Sequence, residues 1–255
     1  MTNAQRVSIE ALLIEGQLSR DEIAAQVGVP PATVSAIKAH VAMRRRSVAA
    51  ADPLIDLPRV AVSRKTGDES FLHNGRPISP LVDFWRWSDS DLLSNAVRGR
   101  IAEYLVALDL GVAQGTRSEW VAFDLQTSDG VAVEVKSASY IQTWAQRRDS
   151  AITFDIRKTV AWNADTATFD NVRRRQAQAY VFALIEHRDR ASVDPLNVDQ
   201  WLFHVLATSI LDAKLADQKS LSLAGLLQLQ PTVVRFGGIG DAVKTVVAAG
   251  LPARA

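Results

Sequence analysis

The chain has 255 residues, 47% of them hydrophobic and 22% charged, with a net charge of +1. That balance belongs to a globular protein, and the length suits one medium domain with a smaller one beside it. No run approaches the roughly 20 consecutive apolar residues of a membrane span, and the first residues lack a signal-peptide core, so a cytoplasmic protein with no membrane partner is expected. Cysteine is absent, which excludes disulfides and thiolate-held metals. His40, His73, His187 and His204 are scattered, so any metal is expected to be a hard cation held by carboxylates.

Residues 1–47 predict a small all-α domain. Val7, Ala11, Leu12 and Ile14 fit an amphipathic helix ending at Gly16. Ser19 and Glu22 form a capping box for a second helix, which Gly28 closes. Pro31 opens a third, with Val34, Ile37 and Val41 on one face. A small Ala24 at the crossing, Gly28 in the turn and the packing pair Val34 and Ile37 resemble a helix-turn-helix DNA-binding motif. The resemblance implies that Thr33, Ser35, Ala36, Lys38 and Ala39 face a major groove, with Arg44, Arg45 and Arg46 on phosphates. The plain alternative is a three-helix module that binds protein.

Residues 48–87 read as a connector. Ala49–Pro53 has linker composition, and Arg59–Ser63 with Ser70–His73 can form a hairpin around Thr66-Gly67-Asp68. Asn74-Gly75 is a second turn signal.

From Ser88 to Gly111 the pattern predicts a long helix. Ser88 and Asp91 supply a cap, and Leu93, Val97, Ile101, Tyr104, Leu105 and Leu108 supply an apolar face. Glu103 lies off that stripe, on the side of Ala96, Gly99 and Ala107, where small residues admit a close neighbour; its plain role is pairing with Arg100. Glu119–Leu125 reads as a strand, Thr127–Gly130 as a turn and Val131–Lys136 as a second strand. Alternation sends Val131, Val133 and Val135 to a core face and Glu134 and Lys136 to the other. Pairing through the turn then brings Asp124 beside Glu134 and Lys136.

A helix bearing Glu103, then Asp124, a hairpin and Glu134-Val135-Lys136 resembles the PD-(D/E)XK nuclease superfamily, with the restriction-endonuclease-like fold. Phe123 stands where the motif's proline would be. The resemblance covers residues 92–144 and implies an α/β domain over 88–255, a mixed central sheet flanked by helices. It implies a Mg²⁺-dependent endonuclease acting on double-stranded DNA, of a restriction or other genome-defence type, with Mn²⁺ able to substitute. Asp124, Glu134 and Glu103 would hold metal with the Val135 carbonyl, and Lys136 would orient the attacking water. A homodimer is expected, since two strands must be cut by a single-site domain. The competing reading is a DNA-binding regulator on a silent nuclease fold.

Beyond the motif, Gln142 is placed to read a base edge, and Tyr140 and Trp144 either to line the cleft or to pack a strand end. Ala151–Ile156 reads as a strand and Asn171–Gln178 as a helix that brings Arg175 and Gln176 toward the cleft. Ala179–Ile185 and Trp201–Ala207 are buried strands, and helices follow over Ser209–Asp217 and Asp241–Ala249, with a short strand Val233–Phe236 between. Gly237–Gly240 lacks the glycine that must precede the lysine of a phosphate loop, so no nucleotide cofactor is expected.

Overall fold

In the computed structural model the described residues are 2–48, 60–164 and 166–250, with side chains left aside at 3–4, 14–15 and 40–48. The linker expected at Ala49–Pro53 lies outside them. The chain divides into two compact units, Met1–Pro58 and Arg59–Ala255.

The first unit holds three helices, α1 (Asn3–Glu15), α2 (Arg20–Val27) and α3 (Pro31–Val48). Ser19 and Glu22 make the expected reciprocal cap, and Gly28 ends α2 at φ 69°. Ile9, Ile23, Ala24, Val34 and Ile37 form its core. Ala24 is small enough to let α2 and α3 cross over that core.

The second unit opens with a hairpin, but at the second turn signal. Strands β1 (Ser70–His73) and β2 (Arg76–Pro80) pair with His73 opposite Arg76. Asn74 and Gly75 both take positive φ, 50° and 75°, the combination that matches strand twist in a two-residue turn. Residues 60–69 form no strand. Thr66 and Gly67 instead donate their amides to the Glu69 carboxylate, and Gly67, at φ 100°, lies against the Trp85 ring.

A helix that the pattern does not announce, α4 (Leu81–Asp89), follows, and the long helix is shorter than expected: α5 runs Asn95–Asp109. Ser88 lies inside α4, and the cap is Ser94, whose hydroxyl accepts from Val97 N. The buried face of α5 is rotated from the expected stripe, to Val97, Arg98, Ala102, Leu105 and Val106. Tyr104 and Leu108 are exposed. The physical reason is the core that the buried face shares with the sheet: Ala102, Leu105 and Val106 pack with Val133, Val135 and Val181.

The main sheet has five strands, β3 (Leu125–Gln126), β4 (Ala132–Ser139), β8 (Ala179–Ile185), β9 (Trp201–Ala207) and β11 (Thr232–Val234), in the order β11-β9-β8-β4-β3. It is mixed: β4 and β8 are parallel and the other pairs antiparallel. All seven residues of β8 are buried. Ala179, Val181, Ala183 and Ile185 face a layer containing α5 and α8 (Ile239–Gly250), while Tyr180, Phe182 and Leu184 face the opposite core. At about 1.5–3 kcal/mol for each large apolar side chain buried, this two-sided core outweighs surface ion pairs worth about 0–1 kcal/mol each.

The connection from β4 to β8 departs from the expected helix. It contains β5 (Thr153–Asp155) and a hairpin of β6 (Thr159–Asn163) and β7 (Thr168–Arg174). Of the residues read as helical at Asn171–Gln178, the first four are strand and the rest irregular, because cross-strand pairing of Trp162 with Phe169 and Val160 with Arg173 overrides local preference. Strand β5 pairs with β10 (Ser220–Ser222), outside the main sheet. Helices α6 (Thr208–Leu215) and α7 (Leu223–Gln228) complete the unit. Gly237–Gly240 starts α8, and Asp109 at the end of α5 accepts from the amides of Gly237, Ile239 and Gly240. No helix among the described residues is long and apolar enough to cross a membrane.

Candidate active site

The pairing of β3 with β4 sets the site. Leu125 lies opposite Val133 and Gln126 opposite Ala132, and Asp124, just before that ladder, is held to β4 by the Val135 amide. The strand expected from Glu119 shrinks to Leu125–Gln126 for a local reason. The Val135 N–H donates to Asp124 Oδ2 at 2.7 Å, a side-chain bond in place of a backbone rung. The ladder therefore ends at Leu125, and residues 119–124 leave it as irregular chain.

Asp124, Glu134 and Lys136 come together as the alternation predicts. Lys136 Nζ donates to Glu134 Oε1 at 2.5 Å, with both side chains largely buried. Burial, and then the charge of Glu134, push the Asp124 carboxyl up to about 6 against the opposing pull of the Val135 amide and Lys136. Burial alone would lower the Lys136 ammonium, but Glu134, Asp124 and Asp155 together hold it above its usual value. Asp155, on β5 and paired with Arg157, is a neighbour the sequence did not reveal. Tyr180, opposite Glu134 in register, is raised by burial and by that carboxylate.

Glu103 reaches the same edge from α5, but its partner is Arg117 rather than Arg100. Arg117 Nη2 donates to Glu103 Oε1 at 3.1 Å and its Nε to Oε2, while Nη1 holds Glu119 at 3.0 Å. Arg100 pairs with Asp89 instead. Glu103 and Asp124 line one cavity of about 500 Å³ together with Arg64, Arg100 and Arg117. Two of these guanidiniums are already paired, Arg100 with Asp89 and Arg117 with Glu103 and Glu119.

As a donor set for a cation, the residues fit in kind. Val135 N–H occupies only one oxygen of Asp124, and Lys136 only one of Glu134, which leaves each carboxylate a second oxygen for a hard cation. Among the described residues no three acidic or histidine side chains are gathered at ligand distance, since Glu103 is turned to Arg117.

Several expected cleft residues serve the fold. Gln142 is buried; its Oε1 accepts from Arg98 Nη1 at 3.2 Å and its Nε2 donates to Ser139 O at 2.9 Å, so its amide is committed and cannot present to a base. Arg175 is fully buried, donating to the carbonyls of Ile156, Ala216 and Gln218 and to Asp212. Gln176 bonds Thr159 O and Arg174 at the base of the hairpin and sits on no helix. Tyr140 lies half-buried beneath the Arg188 guanidinium, 3.7 Å from its ring centre, whereas Trp144 is exposed.

In the helical unit, Ser35 and Lys38 are exposed and Thr33 is half-buried on α3. Arg44, Arg45 and Arg46 continue that helix, and their side chains lie outside the described ones. No family model, curated protein or solved structure matches the chain.

Proposed function

We propose that the chain is a metal-dependent endonuclease of the restriction-endonuclease-like kind that hydrolyses phosphodiester bonds in double-stranded DNA. The observation that carries the proposal is Asp124 seated on the Val135 amide close to the Glu134 carboxylate, with Lys136 bonded to Glu134. A structural ion pair of Glu134 with Lys136 would not need a second, half-buried carboxylate beside it.

Asp124 and Glu134 would hold Mg²⁺ or Mn²⁺, with Glu103 and the Val135 carbonyl as further ligands. Such a cation lowers the pKa of bound water and offsets charge growing on the phosphoryl oxygens, worth several kcal/mol. Lys136 orients the attacking water and donates toward the oxygens that gain charge. Arg64, Arg100 and Arg117 hold the phosphodiester chain, and the Arg117–Glu103 pair opens when Glu103 turns to a ligand. The helical unit is proposed to read DNA through Thr33, Ser35 and Lys38 with Arg44, Arg45 and Arg46 on phosphates, and two copies act on the two strands.

One observation favours the competing reading of a silent, DNA-bound regulator: each acidic residue already has a protein partner. Plasmid DNA incubated with the purified chain separates the two. Nicking or linearisation in Mg²⁺ or Mn²⁺, abolished by EDTA, is the expected result. Intact plasmid under every cation, with DNA still bound, would leave the regulator.

A further inference from the structure

Next to the carboxylates lies a second cavity that hydrolysis does not use. It measures about 490 Å³, within the roughly 300–1,000 Å³ of small-ligand pockets, and separates residues 120–123 from the β6–β7 hairpin. Its surface is aromatic. Trp162 and Phe169 are cross-strand partners with ring centroids 4.6 Å apart and planes at 55°, and Trp120 faces the same space from the other wall. Trp120 and Phe169 are 67% and 68% exposed, a large apolar area that no described residue covers.

Three features point to what fills it. Val121 and Phe123 line both this cavity and the one that holds Asp124 and Glu103, so an occupant sits one wall away from the reacting centre. Thr168 and Asp170 put polar groups among the rings, and Asp170 is fixed by the Asn171 amide at 2.6 Å and by Arg174. The same hairpin carries Arg173, which with Arg157, Lys158 and Lys219 surrounds a further hollow containing a single acid, Asp217. Flat rings, a polar edge and neighbouring cations match a nucleotide: an apolar face, hydrogen-bonding rims and an anionic chain.

We propose that this cavity takes one nucleobase of the nucleic acid substrate, drawn out of its stack and held between Trp120 and Phe169. The inference deepens the nuclease reading and rests on it for the identity of the substrate. The base is gripped by its π face, so the contact tolerates any sequence. Gripping the base anchors the adjoining phosphodiester beside Asp124.

The test uses the full-length protein in EDTA, where nothing is cut, and two fluorescent single strands of equal length, one with normal bases and one of abasic sugar–phosphate. Anisotropy titrations are expected to show the normal strand bound at least about tenfold tighter, the scale of one stacked base. Trp120→Ala and Phe169→Ala should each remove most of that preference and leave the abasic affinity unchanged, while Phe169→Tyr should keep it. Trp120 lies on irregular chain with an exposed ring, so Trp120→Ala does not threaten the fold, and Phe169→Tyr keeps the ring that packs on Trp162. Unchanged preference in both alanine variants would overturn the pocket even if plasmid is cut. Preference that follows the rings while no plasmid is cut under any cation would uphold the pocket and overturn the hydrolysis.

Discussion

The Asp124 carboxyl sits half-buried beside a second negative charge, and its pKa of about 6 makes a stability statement. Because the folded value is raised, the folded chain retains a proton that the unfolded chain loses near pH 4. Stability therefore falls as pH rises from about 4 to about 6, and the loss persists above that window. Asp124→Asn cannot ionise and still accepts from the Val135 amide. It is expected to be more stable than the parent at neutral pH, by on the order of 2 kcal/mol, with the difference vanishing below about pH 4. Urea titrations across this range check it, and parallel profiles would contradict the raised value. Arg175 has the opposite character. Its side chain is wholly buried on three carbonyls and Asp212, and Arg175→Ala leaves the carbonyl of buried Ile156 without its partner, which should cost about 1–3 kcal/mol. Arg175→Lys should recover little, because an ammonium cannot reproduce the planar fork. The midpoint of urea unfolding reads both.

At the scale of elements, what the sequence reveals depends on how local its cause is. Ser19 with Glu22 and the Asn74-Gly75 turn are settled by neighbours three residues apart or fewer, and both act where the pattern placed them. The site was legible for the same reason: alternation puts Glu134 and Lys136 on one face, and the Thr127–Gly130 turn sets the register that delivers Asp124. Arg117 and Glu103 are 14 residues apart, with the end of α5 and then irregular chain between them, and nothing in the spacing announces their contact. The Asn171–Gln178 stretch misleads because its polar, arginine-rich composition suits a solvated helix, while partners a hairpin away make its first half a strand. The start of α5 shows the limit of a motif, since Ser88 and Ser94 both have capping chemistry and only Ser94 is followed by chain free to turn into α5. Ser94→Ala is expected to cost about 1 kcal/mol and Ser88→Ala less than about 0.5 kcal/mol. Thermal melts of the two variants distinguish the two starts, and a larger loss at Ser88 would contradict the observed boundary.

On the scale of the whole molecule, the two units have separate cores, Ile9, Ile23, Ala24, Val34 and Ile37 in one and the two faces of the main sheet in the other. Removing residues 1–58 is therefore expected to leave a cooperative thermal transition. If the helical unit holds phosphates, the truncated chain binds DNA more weakly, and the slope of log K against log salt falls by roughly 0.9 for each phosphate it no longer neutralises. Affinity and slope equal to the full chain's would assign the three helices to a protein partner. All of Glu103, Asp124, Glu134 and Lys136 lie in the second unit, so the cut itself should survive the truncation at low salt. Whether these residues cleave DNA or merely hold it is decided by plasmid cleavage and DNA affinity measured side by side for Asp124→Asn, Glu134→Gln and Lys136→Ala. Each variant is expected to lose cleavage in Mg²⁺ and in Mn²⁺ while its DNA affinity stays near the parent's. Variants that bind weakly yet cut at the parent's rate per bound complex would show that the three side chains hold DNA and that the cut is made elsewhere.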